Sequence, residues 1–378
     1  MRTSTTGRPL RAARLAVTVV ALGLLAAACG TGNGGGSGPL YGNTKKIALL
    51  LPETKTTRYE AQDRPLFEAK LKALCSDCQV IYSNANQDPA AQQNQADAAL
   101  TNGAKVLVLD PVDSASAASI VAKAKARDVP VISYDRLVLN ADVDYYISFD
   151  NVQVGKLQAR SLVDRLQQQG EGSGTIVMIN GSPTDNNAKL FKQGAESVLD
   201  ASHLKVGKRY DTPDWSPDQA QREMEQAITA LGSNGFQGVY AANDGTAGGA
   251  IAAMKGQGID PSTRPVTGQD AELAAVQRIL TGQQYMTVYK AIKPEAEQAA
   301  QLAVDLADGN RSAADALATK RTDNGSKQVP SIILTPVAVT KANARTTVGQ
   351  MLTDGFLKAT DLCSGATATA CQQAGLSQ

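Results

Sequence analysis

Seven polar clusters in this 378-residue chain each follow on an apolar run. They are Thr54-Lys55-Thr56-Thr57-Arg58-Tyr59, Tyr134-Asp135-Arg136, Phe149-Asp150-Asn151, Asn180-Gly-Ser-Pro-Thr-Asp185-Asn186-Asn187, Asn243-Asp244, Gly268-Gln269-Asp270 and Tyr289-Lys290. A polyol hydroxyl gives one hydrogen and accepts through two lone pairs, so its site needs both donors and acceptors. Asp accepts, Arg and Lys donate, and Asn does both. Phosphate would ask instead for a cradle of backbone N–H groups and surplus positive charge. The set therefore suits a neutral polyol better than a phosphate. The C–H faces of a cyclic polyol would need flat walls. With only 4% aromatic residues, the placement of Tyr59 and the single Trp, Trp215, in loops marks both as stacking candidates.

Other chemistries are poorly supplied. One His excludes three-His zinc sites and His-Glu-x-x-His helices. That residue, His203, sits in the polar turn Asp200-Ala-Ser-His203, and no G-x-S-x-G elbow occurs. Asp244-Gly-Thr-Ala-Gly-Gly249 follows a strand but lacks the G-x-G-x-x-G spacing of a dinucleotide site. No catalytic residue, metal or cofactor is assigned. Asp135 and Asp270 would still serve a glycosidase as a carboxylate pair, so a lipid-anchored glycoside hydrolase is the enzyme alternative. Asp135-Arg136 also reads as an ordinary surface ion pair, and Asn186-Asn187 as turn residues. The 37 basic and 36 acidic residues leave no charge excess for nucleic acid.

The elements that must position these residues alternate. Segments 46–51, 79–82, 105–109, 129–133 and 144–149 read as strands; 174–179, 204–210, 238–241, 265–268 and 285–288 form a second series, with helices between. Near-continuous apolar strands separated by helices signal parallel sheets covered on both faces. The fold class is thus α/β, two similar doubly wound lobes, whose ligands gather outside the carboxyl ends of the strands. Ser216-Pro217 with Gln219 reads as a capping box opening a helix over 218–231. Segment 314–329 is polar, contains Asn324-Gly325, and reads as a hairpin or loop.

The amino terminus reads as a processing segment. Arg2, Arg8, Arg11 and Arg14 precede an apolar run, 15–28, that is too short to span a membrane and ends Leu25-Ala-Ala-Ala-Cys29. This resembles a lipobox, in which Cys29 is acylated after removal of residues 1–28; the alternative is an ordinary signal peptidase site among the alanines. Segment 29–45 is a Gly-rich tether. Cleavage would leave 33 basic and 36 acidic side chains and four other cysteines, an even number in an oxidising compartment. The expected pairs are Cys75-Cys78 and Cys363-Cys371. A thioredoxin-like role for Cys75-Ser-Asp-Cys78 is the alternative, although the motif follows a helix instead of opening one.

Six stretches carry a family resemblance. They are Tyr134-Asp-Arg136, Tyr146-Ile-Ser-Phe-Asp-Asn151, Gly181-Ser-Pro-Thr-Asp-Asn-Asn-Ala-Lys-Leu-Phe191, Asn243-Asp-Gly-Thr-Ala-Gly-Gly249, Gly268-Gln-Asp-Ala-Glu-Leu273 and Met286-Thr-Val-Tyr-Lys290. From about Lys45 to Thr347 they closely resemble the xylose-binding receptors of bacterial ABC transporters, in the ribose-binding-like type I periplasmic binding protein family. The resemblance implies two lobes joined by three crossovers, 46–150 plus 291–335 and 151–290 plus 336–378, closing on a monosaccharide. It also implies an extracytoplasmic monomer that delivers the sugar, D-xylose first, to a membrane permease, without enzymatic activity. Carried over, it makes Arg58, Asp135, Arg136, Asn187, Asn243, Asp270 and Lys290 sugar contacts and Tyr59 and Trp215 the stacking walls. In the closed clamp, Arg136 is expected to pair with Asp270. The first loop, Pro52-Glu-Thr-Lys-Thr-Thr-Arg58-Tyr59, departs toward multiple-sugar-binding relatives, which carry Trp where Tyr59 stands. Another aldose (glucose, galactose or arabinose), or a sensing role, remains the alternative.

Overall fold

The structure is a computed structural model that describes residues 44–376; the expected signal segment, Cys29 and most of the tether lie outside the described residues. The first series of elements is β1 (Lys46–Leu51), α1 (Arg64–Leu74), β2 (Gln79–Asn84), α2 (Pro89–Thr101), β3 (Ala104–Leu109), α3 (Ala118–Lys125), β4 (Val131–Tyr134) and β5 (Tyr145–Phe149). The second is α4 (Asn151–Gln168), β6 (Thr175–Asn180), α5 (Asn186–Leu199), β7 (Lys205–Asp211), α6 (Pro217–Leu231), β8 (Gly238–Ala241), α7 (Asp244–Gly256), α8 (Leu273–Leu280) and β9 (Met286–Tyr289). The chain then returns to the first sheet through α9 (Ile292–Ala307), α10 (Arg311–Leu317), β10 (Lys320–Asp323) and β11 (Gln328–Leu334). It crosses a third time into β12 (Val337–Thr340), α11 (Ala344–Thr353), α12 (Ala359–Leu362) and α13 (Ala368–Gln373).

One lobe holds a seven-stranded sheet in the order β10-β11-β5-β4-β3-β1-β2, parallel except for the β10-β11 hairpin. The other holds β7-β6-β8, extended by a parallel bridge from Val239 to Val266, and the antiparallel pair β12-β9. Both sheets are covered on two faces, which explains the uninterrupted apolar strands: Ile47, Leu49 and Leu51 enter one core while Ala48 and Leu50 enter the other. Ile176 and Met178 divide from Val177 and Ile179 in the same way. The fold is the doubly wound, two-lobed α/β architecture read from the sequence.

Local readings differ in places. The expected strand at 265–268 is an extended segment with a single bridge, since Pro265 cannot donate to a ladder. The loop expected from 314 begins as the end of α10, and only the rest forms the hairpin, turned at Asn324-Gly325, where Gly325 has φ +87°. Ser216 caps α6 by accepting from the Gln219 N–H, with Pro217 at the first helical position. Gln219 does not reach back to complete the box; its amide turns to Glu223. Cys75 closes the C-terminal end of α1 and is bonded to Cys78, and Cys363 is bonded to Cys371. The second bridge fastens a tail whose Leu362, Cys371 and Leu376 pack with Ala271, Val276 and Leu280.

Candidate functional site

Strand ends from both lobes converge on one cavity, lined by all nine side chains singled out as contacts: Arg58, Tyr59, Asp135, Arg136, Asn187, Trp215, Asn243, Asp270 and Lys290. Each is buried despite its polarity, so each must be paired within the protein or by what enters the cavity.

On the first lobe, Arg58 and Tyr59 stand where the chain leaves β1 and winds into a π-helical turn, Tyr59–Asp63, ahead of α1. That wider turn lets residues five apart meet: Arg58 Nε and Nη2 donate to Asp63 at 2.9 and 2.6 Å. Nη2 also donates to Glu295 on α9 at 2.6 Å, and Nη1 to Asp135 at 3.2 Å. Four of the five guanidinium hydrogens are thereby committed, leaving one on Nη1 for a ligand. The Tyr59 hydroxyl donates to Asp135 Oδ2 at 2.8 Å, and its ring lies within 5.6 Å of the Arg58 and Arg136 guanidiniums. Burial pushes the Asp135 carboxyl up, but Arg58, Lys290 and Arg136 outweigh it and hold the group at about 2. Asp135 is therefore an acceptor at any physiological pH.

Arg136 reaches across the cleft. Its Nε lies 3.1 Å from Asp185 of the second lobe and 3.6 Å from Asp110, and its Nη2 lies 3.5 Å from Glu53. The expectation that Asp270 pairs with Arg136 is not met, because Asp270 instead ion-pairs with Lys290 at 2.8 Å. The physical reason is local: Asp270 and Lys290 are supplied by the same end of the second sheet, next to β9, whereas Arg136 is already surrounded by three acids.

The second wall is built on helix starts. Asn187, in the first turn of α5, donates to the Asp135 carbonyl at 3.0 Å and accepts from Asn151 at 2.9 Å. Asn243 caps α7, accepting from Thr246 N at 2.9 Å. Trp215, expected in a loop, ends a short 3₁₀ turn, Pro213–Trp215; its Nε1 donates to Asp185 at 3.1 Å and its ring meets Phe191 edge-on at 6.3 Å. The ring is seated because residue 181 is glycine: a Cβ there would lie 2.0 Å from the indole.

Backbone strain concentrates here. Asp135 (φ +53°), Asp214 (+55°), Trp215 (+54°), Asp270 (+94°) and Ala271 (+50°) all occupy the left-handed half of φ space. Non-glycine residues persist there only where the surroundings over-determine them, which is common at ligand sites. At the rim, Glu272 accepts from the Thr57 N–H of the opposite lobe at 3.4 Å. Burial, with Asp270 adding, pushes its carboxyl up to about 7.

Several residues of this site went unmarked in the sequence. Asp110 follows β3 directly and obeys the strand-end rule that found the others; Asp185 and Gln269 stood inside clusters already singled out. Asp63, Phe191 and Glu295 lie on helical segments and carried no local signal. The glycosidase alternative is not supported: a general acid needs a raised pKa, whereas Asp135 is held ionised and Asp270 is bound to Lys290.

Residues 47–311 match the family model described as periplasmic binding protein domain. The D-xylose-binding periplasmic protein of Escherichia coli (strain K12) is 39% identical over 321 residues, covering 84% of this chain and 92% of that one. A multiple sugar-binding periplasmic receptor of Rhizobium radiobacter is 34% identical, covering 81% and 90%. Among solved structures, an ABC transporter solute binding protein from Clostridium phytofermentans with bound β-D-glucose superposes with a TM-score of 0.75 at 30% identity, covering 84% of this chain and all of the other.

Proposed function

Since the chain belongs to the periplasmic binding protein family, we propose that it captures a monosaccharide, D-xylose first, between its lobes and delivers it to the permease of an ABC transporter. It works outside the cytoplasm as a monomer, held to the membrane by acylated Cys29 at the end of its tether. The observation that carries this reading is the convergence of all nine strand-end side chains on one cavity. That cavity offers acceptors from Asp135 and Asp270, donors from Lys290, Arg136 and the remaining Arg58 hydrogen, and both from Asn187 and Asn243. Tyr59 and Trp215 supply apolar faces from opposite lobes. The chain's own groups bind and orient a ligand here.

Cross-lobe contacts support a clamp mechanism. Arg136 with Asp185, Asn187 with the Asp135 carbonyl, and Ser114 N with the Thr184 carbonyl at 3.1 Å exist only when the lobes meet. A sugar that touches both walls favours this closed arrangement over an open one by its extra contacts. D-glucose is the second reading, favoured by the glucose-bound relative at 30% identity. Calorimetric titration of the mature protein with D-xylose, D-glucose, D-galactose and L-arabinose separates them. One site with D-xylose tightest is expected; tighter glucose would overturn the pentose assignment, and product release from a glycoside would overturn the receptor.

A further inference from the structure

Among the described residues lining the cavity, Gln269 alone keeps a buried side-chain oxygen with neither a hydrogen bond nor an ion pair. The residue is 2% exposed. A buried amide oxygen without a partner is costly, because the water it gave up has no substitute. The arrangement is imposed by the backbone. The Gln269 carbonyl accepts from Asp244 N at 3.0 Å, and the residue before it must be glycine, since a Cβ on Gly268 would lie 2.0 Å from Asp244 Oδ1. The two residues after it are strained, with φ of +94° at Asp270 and +50° at Ala271. Asp244 itself is fixed by Gln284, Thr287 and the Glu272 N–H at 2.8, 2.8 and 3.0 Å. A braced and strained segment thus holds an unpaired amide oxygen at the cavity.

We propose that Gln269 is a specificity-determining contact, pairing with one ring hydroxyl beside Asp270. This rests on the monosaccharide reading above. A hydroxyl both gives and accepts, so it satisfies the amide whichever way round the group is turned. A sugar lacking that hydroxyl leaves the amide unpaired and is rejected.

Gln269→Met keeps the length of the side chain and removes its polarity. Wild type and variant would be titrated with D-xylose and with its 2-, 3- and 4-deoxy analogues, and both would be melted without ligand. The variant is expected to bind D-xylose roughly 5- to 100-fold more weakly. Against one deoxy analogue that difference should vanish, and the ligand-free melting temperature should not fall, because an unpaired buried group has gone. Equal D-xylose affinity in both proteins overturns the assignment. So does a loss shared by all three analogues together with a lower ligand-free melting temperature, which marks a structural role. Should wild type take no monosaccharide at all, the receptor reading falls and the assignment with it; a wild type that binds, matched by the variant, overturns the assignment alone.

Discussion

Lys290 ion-pairs with Asp270 at 2.8 Å, and both are buried. Asp270→Ala would break that pair and remove a hydroxyl acceptor at once, so affinity for D-xylose should fall by roughly 30- to 1000-fold, measured by calorimetry. Binding within threefold of wild type would show that the pair does not face the sugar. Two carboxyls give pH dependences of opposite sign. Asp135 is depressed to about 2, so its contribution to the folded state is present above the ordinary carboxyl range and is lost only as pH falls toward 2. Glu272 is raised from 4.5 to about 7, so its contribution is complete below 4.5 and lost as pH rises through 7. Melting temperature should therefore decline between pH 5 and pH 8 in wild type, and the decline should shrink in Glu272→Gln; an unchanged slope would contradict the assignment. At this scale the sequence revealed residue types and positions, and the nine marked side chains do share a cavity. It did not reveal who pairs with whom. Asp270 with Lys290, and Arg58 with Asp63 and Glu295, depend on sheet order and on a π-helical turn, neither of which leaves a short-range pattern.

The wall formed by the short 3₁₀ turn and the start of α5 depends on a glycine. Gly181→Ala would drive its Cβ into the Trp215 ring, which cannot retreat because Asp185 holds its N–H and Phe191 backs it. Weaker sugar binding and a shifted emission maximum are expected, and since Trp215 is the single tryptophan the emission reports this one place. Wild-type emission and affinity would mean that the wall yields without cost. Ser216 just beyond it caps α6, and Ser216→Ala should lower stability by about 1 kcal/mol in chemical denaturation while leaving the sugar contacts in place. Helices with a capping residue and a periodic apolar face, such as α6, were readable from residue order alone. The weak points were elements whose identity is settled by neighbours: the 265–268 segment, β11 inserted beside β5, and α10 within a polar stretch.

For the whole molecule, two lobes with complementary walls imply that ligand and shape are linked. Small-angle scattering should show a smaller radius of gyration on adding D-xylose, by a change absent in Asp270→Ala. The proposed lipid anchor is a separate matter: if Cys29 is acylated, wild type should partition with membranes and Cys29→Ser should not, because two acyl chains suffice for stable anchoring. Recovery of wild type as a soluble form starting within the alanine run would refute it. The two-lobe pattern was legible because parallel sheets buried on both faces leave long apolar strands; the interlobe contacts were not, since they join residues far apart in sequence. A crystal structure of the mature protein grown with D-xylose tests the central claim most directly. The account expects one pyranose between Tyr59 and Trp215, hydrogen-bonded to Asp135, Asp270 and Lys290 with the lobes closed over it. Sugar bound elsewhere on the surface, with the cavity side chains still paired only to one another, would contradict it.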